Sequence, residues 1–483
     1  MTLSSALHAT RSIFNNSGTQ SSVISNNIAN QGNENYVRRE AKITVSSEGA
    51  QVVQIARASE PSLQRYLLAS TSKDAAQQTL VKGLEGLKTT IGGNDYDSSP
   101  ATYLSALHSA MQTYAALPGS TTGAQAAVAA AQDVANSLNN ATKAIQAIRA
   151  SADKEIASDV DKLNGLLAQF ETANNAVKSS KATGTDPNDA LDQRDALLKQ
   201  ISQIVGIRTV TRDNNDMALY TSDGTTLFET IPRSVTFKPT GSYTAETTGN
   251  SVYIDGVPLQ AGDGATTTGQ GTLQARLQVR DGVVPTYQKQ LDELARGLVE
   301  AFAETSSVDG SKAAGLFTWS DGTVPDDASV VPGIAGTIKV NEALITSLGG
   351  NPHLLRDGGI NGDDYVANTS GGTGYSGNID KYLLELTTSR DFDPSSAVDS
   401  KSSILQFASN SIGWLEGERS RATTAAESTA AHFSASFAAY SNETGVNMDE
   451  ELMAMMAVEQ SYKAGTKLLN AINDMLDQLL RMT

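Results

Sequence analysis

Apolar positions along this 483-residue chain form long helical stretches at both ends and in the middle, separated by alternating, Thr-rich and Gly-rich segments. The last stretch is the most regular. Met448, Met455, Tyr462, Leu469 and Leu476 recur every seven residues, and Val458, Gly465, Ile472 and Leu479 follow the last four at the spacing of a coiled-coil seam. Asn447 is a suitable N-cap, with Glu450 placed for a variant capping box. Such a helix is roughly 50 Å long, and its stripe has to be covered. Two readings stay open: an ordinary core helix, or a helix that pairs with the other end of the chain and with neighbouring subunits.

At the N-terminus, Leu3, Leu7, Phe14, Ile24 and Ile28 follow helical spacing, but Thr10, Ser17 and Ser21 share the stripe and Arg11 is the only fixed charge within residues 2–33. A helix that buries so little is unstable alone, and the C-terminal seam is the natural partner. Residues 36–57 alternate (Ile43, Val45, Val52, Val53, Ile55) around Ser46-Ser47-Glu48-Gly49, the pattern of a hairpin. Helical spacing returns from Pro61 through Leu87 and Ile91 and stops at Gly92-Gly93-Asn94; a shorter helix covers about 100–117. In 124–178, Ala131, Leu138, Ile145 and Ala152 repeat by seven, then the phase slips by four to Ile156, Leu163, Phe170 and Val177, a stutter.

From Arg208 to about Arg280 the chain alternates, with turn signals at Asn214-Asn215, Asp223-Gly224 and Asp255-Gly256. Residues 306–398 are rich in Gly, Asp and Ser, and helix resumes from Ser400. The expected fold is α+β and multidomain: an elongated α-helical bundle with paired N- and C-terminal coiled-coil helices and an inserted small antiparallel β domain. Its parts are residues 1–58 with 441–483 (terminal coiled coil), 59–205 with 280–305 and 399–440 (helical bundle), 206–279 (β domain) and 306–398 (insertion).

Charge and composition narrow the partners. A net charge of −17 offers no basic stripe for nucleic acid or for an anionic membrane, and the absence of cysteine removes disulfides and thiolate chemistry. No window is apolar enough to span a membrane, and the start lacks the pattern of a secretory signal. His8, His108, His353 and His432 are scattered without metal spacing. Gly372-Thr373-Gly374-Tyr375-Ser376-Gly377 matches GxGxxG without the strand and capped helix a dinucleotide site requires, so it reads as a loop. Asn361, Asp363 and Asp364 do not follow a calcium-loop spacing. No catalytic residue, metal ligand or cofactor is expected.

Ser25-Asn26-Asn27-Ile28-Ala29-Asn30, followed by Tyr36-Val37-Arg38-Arg39, resembles the signature of bacterial flagellar axial proteins, with Asn33 and Asn35 where that pattern has Thr and Gly. Asparagine tolerates a left-handed turn there. Leu191-Asp192-Gln193-Arg194-Asp195 before Ile204-Val205-Gly206-Ile207, and the run from Gly271 through Leu273, Ala275 and Leu277 to Arg280-Asp281, resemble the hook-associated protein 1 family. So do Gly445-Val446-Asn447-Met448-Asp449-Glu450-Glu451 and the later Gln460, Tyr462, Ala464 and Asn470. More loosely, so do Ile338-Lys339-Val340-Asn341 and Pro352-His353-Leu354-Leu355.

The resemblance implies a structural subunit between flagellar hook and filament, exported by the type III route without signal cleavage, with terminal helices lining an axial channel. The partners implied are a ring of its own copies, hook protein, the second hook-filament junction protein and a cytosolic chaperone on the C-terminal helix. The expected assembly residues are Leu3, Leu7, Phe14, Ile24, Ile28, Met448, Met455, Val458, Tyr462, Leu469, Ile472, Leu476 and Leu479. Another axial protein such as hook protein or flagellin, or an exported adhesin or enzyme with axial-type ends, is the alternative.

Overall fold

The computed structural model describes residues 3–46, 49–93, 95–325 and 329–482. Helix α1 (Leu3–Ala29) leads into an antiparallel hairpin of β1 (Arg39–Ser46) and β2 (Gly49–Arg57); Ser47 and Glu48 of the expected turn lie outside the described residues. Helix α2 (Pro61–Gly92) starts with proline in its first turn and closes at Gly93, with φ of 66°; Asn94 lies outside the description. Helix α3 (Pro100–Ala116) is capped by Ser99, and α4 (Thr121–Thr183) by Ser120. After α5 (Asn188–Ile204) come one sheet of β3 (Ile207–Thr211), β4 (Met217–Thr221) and β5 (Thr226–Phe228), and a second of β6 (Val235–Thr236), β7 (Tyr253–Ile254) and β8 (Val257–Pro258). The expected turns are present: Asn214, Asn215, Asp255, Gly224 and Gly256 all have positive φ.

Helix α6 (Thr272–Gln278) passes through a π turn at Val279–Val283 into α7 (Val284–Ala301). The insertion after it holds two-residue strand pairs, 3-10 turns, α8 (Leu354–Asp357) and α9 (Gly377–Thr387). Two long helices finish the chain, α10 (Ile404–Thr444) and α11 (Met448–Met482). Helix α9 begins at the last glycine of the GxGxxG run. Its side-chain cap is missing, and the nearest preceding strand-like element is an isolated bridge at Val366.

Helix α4 is the spine. Its 63 residues correspond to about 95 Å at 1.5 Å per residue, and the two halves serve different cores. Ala124 to Ile145 pack in a core with α3, α7, α10, the C-terminal half of α2 and the insertion. Ile156 to Ala173 pack with α5, α6 and strands β3 to β7. The four-residue slip after Ala152 therefore coincides with the change of core, because the stripe must rotate to face the new partners. Strands β3 to β7 share that second core with α4 and α5 and do not enclose one of their own.

A buried polar layer separates the cores. Arg280, fully buried on the π turn, meets Asp153 of α4 at 2.7 Å, both oxygens of Asp281, and the carbonyl of Asn250. Arg149, one turn before Asp153, donates to the carbonyls of Arg280, Thr244 and Thr247. Asp153 also accepts from the Tyr243 hydroxyl at 2.7 Å. These contacts tie the loop before β7 to the bundle, which gives the Arg280-Asp281 pair of the family-like run a structural role. Gly271 of the same run has φ of 88°, and a Cβ there would lie 2.4 Å from the Ile204 backbone, so only glycine fits.

Acids on and just after α7 hold the insertion. Asp292, 1% exposed, accepts from the backbone N–H groups of Gly333 at 3.1 Å and Ala335 at 3.0 Å and from Gln288. Glu304 accepts from the Ile360 and Asn361 N–H groups, both at 3.0 Å. Burial, only partly offset by those N–H bonds, pushes the Asp292 carboxyl up to about 6. Because this lies above the unfolded value of about 3.9, the stabilisation is full below about pH 4 and is lost as pH rises through 6. Urea unfolding at pH 4 and pH 7 should show the wild type gaining about 2–3 kcal/mol over Asp292→Asn at the lower pH; equal differences at both would refute this.

Candidate assembly interface

Helices α1 and α11 pair antiparallel. Ser21 faces Met455, and the rings of Phe14 and Tyr462 meet edge to face at 5.0 Å. At Gly465 a Cβ would come within 2.9 Å of Ile13, so the missing side chain lets the helices approach closely. The stripe of α11 turned to α1 is Glu451, Val458, Gly465 and Ile472, all buried. On α1 the buried positions are Thr10, Ser17, Val23, Ile24 and Asn27. The small polar residues that spoil the apolar stripe of α1 are thus part of the contact; Thr10 satisfies its hydroxyl on the Ala6 carbonyl.

The expected assembly residues divide accordingly. Ile24, Val458 and Ile472 are buried between the helices, while Leu3, Phe14, Ile28, Met448, Met455 and Leu469 line the rim half-buried. Leu7, Tyr462, Leu476 and Leu479 remain exposed, at 52%, 54%, 38% and 56%. The antiparallel register brings Leu3 to about the level of Asn473 at matched helical rise, so Leu476 and Leu479 reach past the first described residue of α1. A second apolar set that the seam analysis passed over, Leu452, Met453, Met456, Leu468 and Met475, is exposed on the side away from α1. The signal was present in the sequence as apolar residues outside the seven-residue series.

Helix α11 starts as Asn447 suggests, with its side-chain oxygen accepting from the Asp449 N–H at 3.1 Å. Glu450 does not complete a capping box. It turns to Arg38 at 3.2 Å, and Glu451 takes the other face of the same guanidinium at 2.7 Å. The Arg38 N–H donates to the Thr444 carbonyl. One residue after the signature Tyr36-Val37 thus latches the α10–α11 link.

The two motifs read separately in the sequence meet at the root of this pair. Asn27, 1% exposed, donates to the Arg39 carbonyl at 2.9 Å and accepts from the Arg39 N–H and the Tyr36 hydroxyl. It thereby starts β1 as a strand partner would. The Arg39 guanidinium lies over the Tyr36 ring at 4.8 Å and reaches Asp189 and Asp192 of α5. Arg57, paired with Arg39 across the open end of the hairpin, bonds Asp192 at 2.7 Å and Asp195 at 2.5 Å. Burial alone would depress the Arg57 guanidinium, but Asp195 and Asp192 outweigh it and hold it above its ordinary value.

Arg194 points the other way and binds Asn174 and the Asn215 carbonyl. Neither Asn33 nor Asn35 is left-handed; Gly32 takes that role with φ of 79°, and the Asn33 side chain accepts from the Asn35 N–H. Asn27→Ala should cost about 1–3 kcal/mol from the unpaired strand groups, read as faster amide exchange across 39–46 and 49–57; unchanged exchange would contradict this role.

Of the residues considered for chemistry, His353 and Asn361 are held in structural contacts. His353 is bound between the hydroxyls of Tyr114 and Thr121, and His8 and His432 are exposed on helices. Asn361 is committed to Glu304 and the Ala314 carbonyl. Among the described residues no group of three or more His, Cys, Asp or Glu is placed to hold a metal, and no helix is long and apolar enough to cross a membrane.

Comparison with known proteins bears on both halves of this geometry. The family described as flagellar hook-associated protein FlgK helical domain matches residues 90–316, and the flagellar basal body rod FlgEFG protein C-terminal family matches 438–482. Flagellar hook-associated protein 1 of Bacillus subtilis (strain 168) is 22% identical over 376 residues, covering 72% of this chain and 69% of that protein. The Escherichia coli (strain K12) protein of the same name is 23% identical over 208 residues, 42% of this chain and 38% of its own length. That of Salmonella typhimurium is 21% identical over 333 residues, 65% and 60%. The solved flagellar hook junction protein FlgK from Burkholderia pseudomallei aligns with 53% of this chain and 47% of its own at 20% identity and a TM-score of 0.43. The FlgK helical-domain match spans α3 to α7, an axial-protein match falls on α11 and the three relatives agree, so the chain is similar to flagellar hook-associated protein 1 at both its helical body and its C-terminal helix.

Proposed function

We propose that this chain is a structural subunit of the bacterial flagellum that assembles on the hook and supports filament growth from the hook-filament junction. The observation that carries this beyond the similarity to hook-associated proteins is the apolar surface left on the terminal pair. Helix α11 buries one stripe against α1 and still exposes Met453, Met456, Met475 and Leu479. Each such side chain is worth about 1.5–3 kcal/mol when fully buried, which favours a pair completed by neighbouring subunits. We assign assembly to residues 1–58 with 441–483, and a supporting role to the helical bundle (59–205, 280–305 and 399–440), the strands of 206–279 and the insertion 306–398.

In this reading the partners are further copies in a ring, hook protein, the second junction protein and, before type III export, a cytosolic chaperone on the C-terminal helix. The chain works outside the cell, and its role is structural rather than catalytic. Electron microscopy of a strain lacking the gene tests it. Hooks without filaments are expected, and filaments of normal length would overturn the reading.

A further inference from the structure

Helices α2, α4, α6–α7 and α10 all cross the level where one core gives way to the other, and each departs there from a regular helix. In α4 the departure is the four-residue slip after Ala152. Between α6 and α7 it is the π turn Val279–Val283, which contains Gly282 and is followed by Pro285, a residue with no N–H for the helical ladder. In α2 it is Gly83 and Gly86, and in α10 it is Gly417. The levels coincide in space. Gly83, Gly86, Ile148, Ser151, Ala152 and Val279 line one cavity. On either side of Gly417, Glu416 meets Lys88 at 3.8 Å and Arg419 meets Glu85 at 2.8 Å.

Close packing accounts for only one of the glycines in α2 and α10 at this level. A Cβ on Gly83 would lie 2.5 Å from Val279, so its absence lets α2 approach the π turn. A Cβ on Gly86 or on Gly417 would meet nothing within 4 Å among the described residues. Inside a helix, such an open glycine brings a looser backbone and no packing gain. Glycines and π turns are also where helices bend.

The surroundings of the level are uneven. On one side of α4 the cavity, about 360 Å³ and mostly apolar, lies between it and α2. About a third of a turn round the helix, Asp153 pairs with Arg280, and Arg149 holds the carbonyls of Arg280, Thr244 and Thr247. One face is tied, and another has room to close.

We propose that this level is a hinge within the helical body. The half that carries α5, the strands and the terminal pair bends about it against the half that carries α3 and the insertion. The buried ion layer is the pivot, and the cavity between α2 and α4 narrows as the body bends. The hinge belongs to the free chain and does not depend on the junction reading.

Because the chain has no cysteine, nitroxide labels can be placed through Ser105→Cys on α3 and Lys162→Cys on α4, both exposed. Double electron–electron resonance on the full labelled chain should give a broad distribution of distances between them. Gly86→Ala combined with Gly417→Ala adds methyls that meet no neighbour, and should narrow that distribution roughly twofold while leaving the melting temperature equal or higher. Gly165→Ala is the control, because its site on α4 is equally open but lies within the stretch that serves the second core; it should leave the distribution unchanged. A wild-type distribution no broader than that of the double alanine variant overturns the hinge. Equal narrowing by Gly165→Ala overturns it as well.

Discussion

A chain carrying Leu476→Asp together with Leu479→Asp is expected to melt like the wild type as a monomer and to fail in assembly. Both side chains lie at the end of α11 past the first described residue of α1, and both are substantially exposed. Exposed polar substitutions usually change stability by less than about 0.5 kcal/mol. In the assembled state the same leucines would be covered, each contributing about 1.5–3 kcal/mol, and a buried unpaired carboxylate adds a further penalty. The combined loss amounts to at least a hundredfold in association. Ile472→Asp is the informative contrast. Ile472 is 1% exposed against α1, so that variant should loosen the α1–α11 pair in the monomer as well, by about 3 kcal/mol or more. Near-ultraviolet circular dichroism of Tyr462 and thermal melting distinguish the two. Equal behaviour of the tail variant and the Ile472 variant would show that the tail is not a separate surface.

The second large effect is expected at Asp192, which holds Arg39 and Arg57 together beneath the hairpin. Its carboxylate is largely buried, and removing it leaves Arg39 with only the exposed Asp189 and Arg57 with only Asp195. Asp192→Asn should therefore cost about 3–5 kcal/mol in docking of the hairpin on α5. Asp189→Asn is the control. Asp189 touches Arg39 at 2.5 Å, but its side chain is 92% exposed, where an ion pair contributes little. Amide exchange across β1 and β2 should accelerate strongly in the first variant and hardly at all in the second. Comparable exchange in both would mean that shape, not charge, seats the hairpin. The hairpin and the Arg38 latch join the terminal pair to the helical body.

Periodicity made the long elements legible. The seven-residue series located α11, and the slip after Ala152 marked where α4 exchanges one core for another, although the sequence could not say why it slipped. What periodicity cannot carry is partnership. Asn27 and Asp192 both stood out as members of motifs, yet their connection through Arg39 and Arg57 depends on the hairpin folding back onto α5. Register was equally hidden. Val458 and Ile472 face α1 while Tyr462 stays exposed, and the close approach of the two helices falls at Gly465. Local rules failed where a charged group found a better partner in space. Glu450 left its capping box for Arg38, and the left-handed residue before Tyr36 is Gly32, not an asparagine.

Hydrogen exchange on free and hook-assembled chain tests the central claim most directly, that the terminal pair is half of an interface completed by neighbours. In the free chain, amides of α11 beyond Ile472 should exchange within seconds, while those of α4 are protected by global stability. On assembly the same α11 amides should slow by at least a hundredfold, with α4 unchanged. Equal protection of the α11 tail in the free and assembled states would contradict the account.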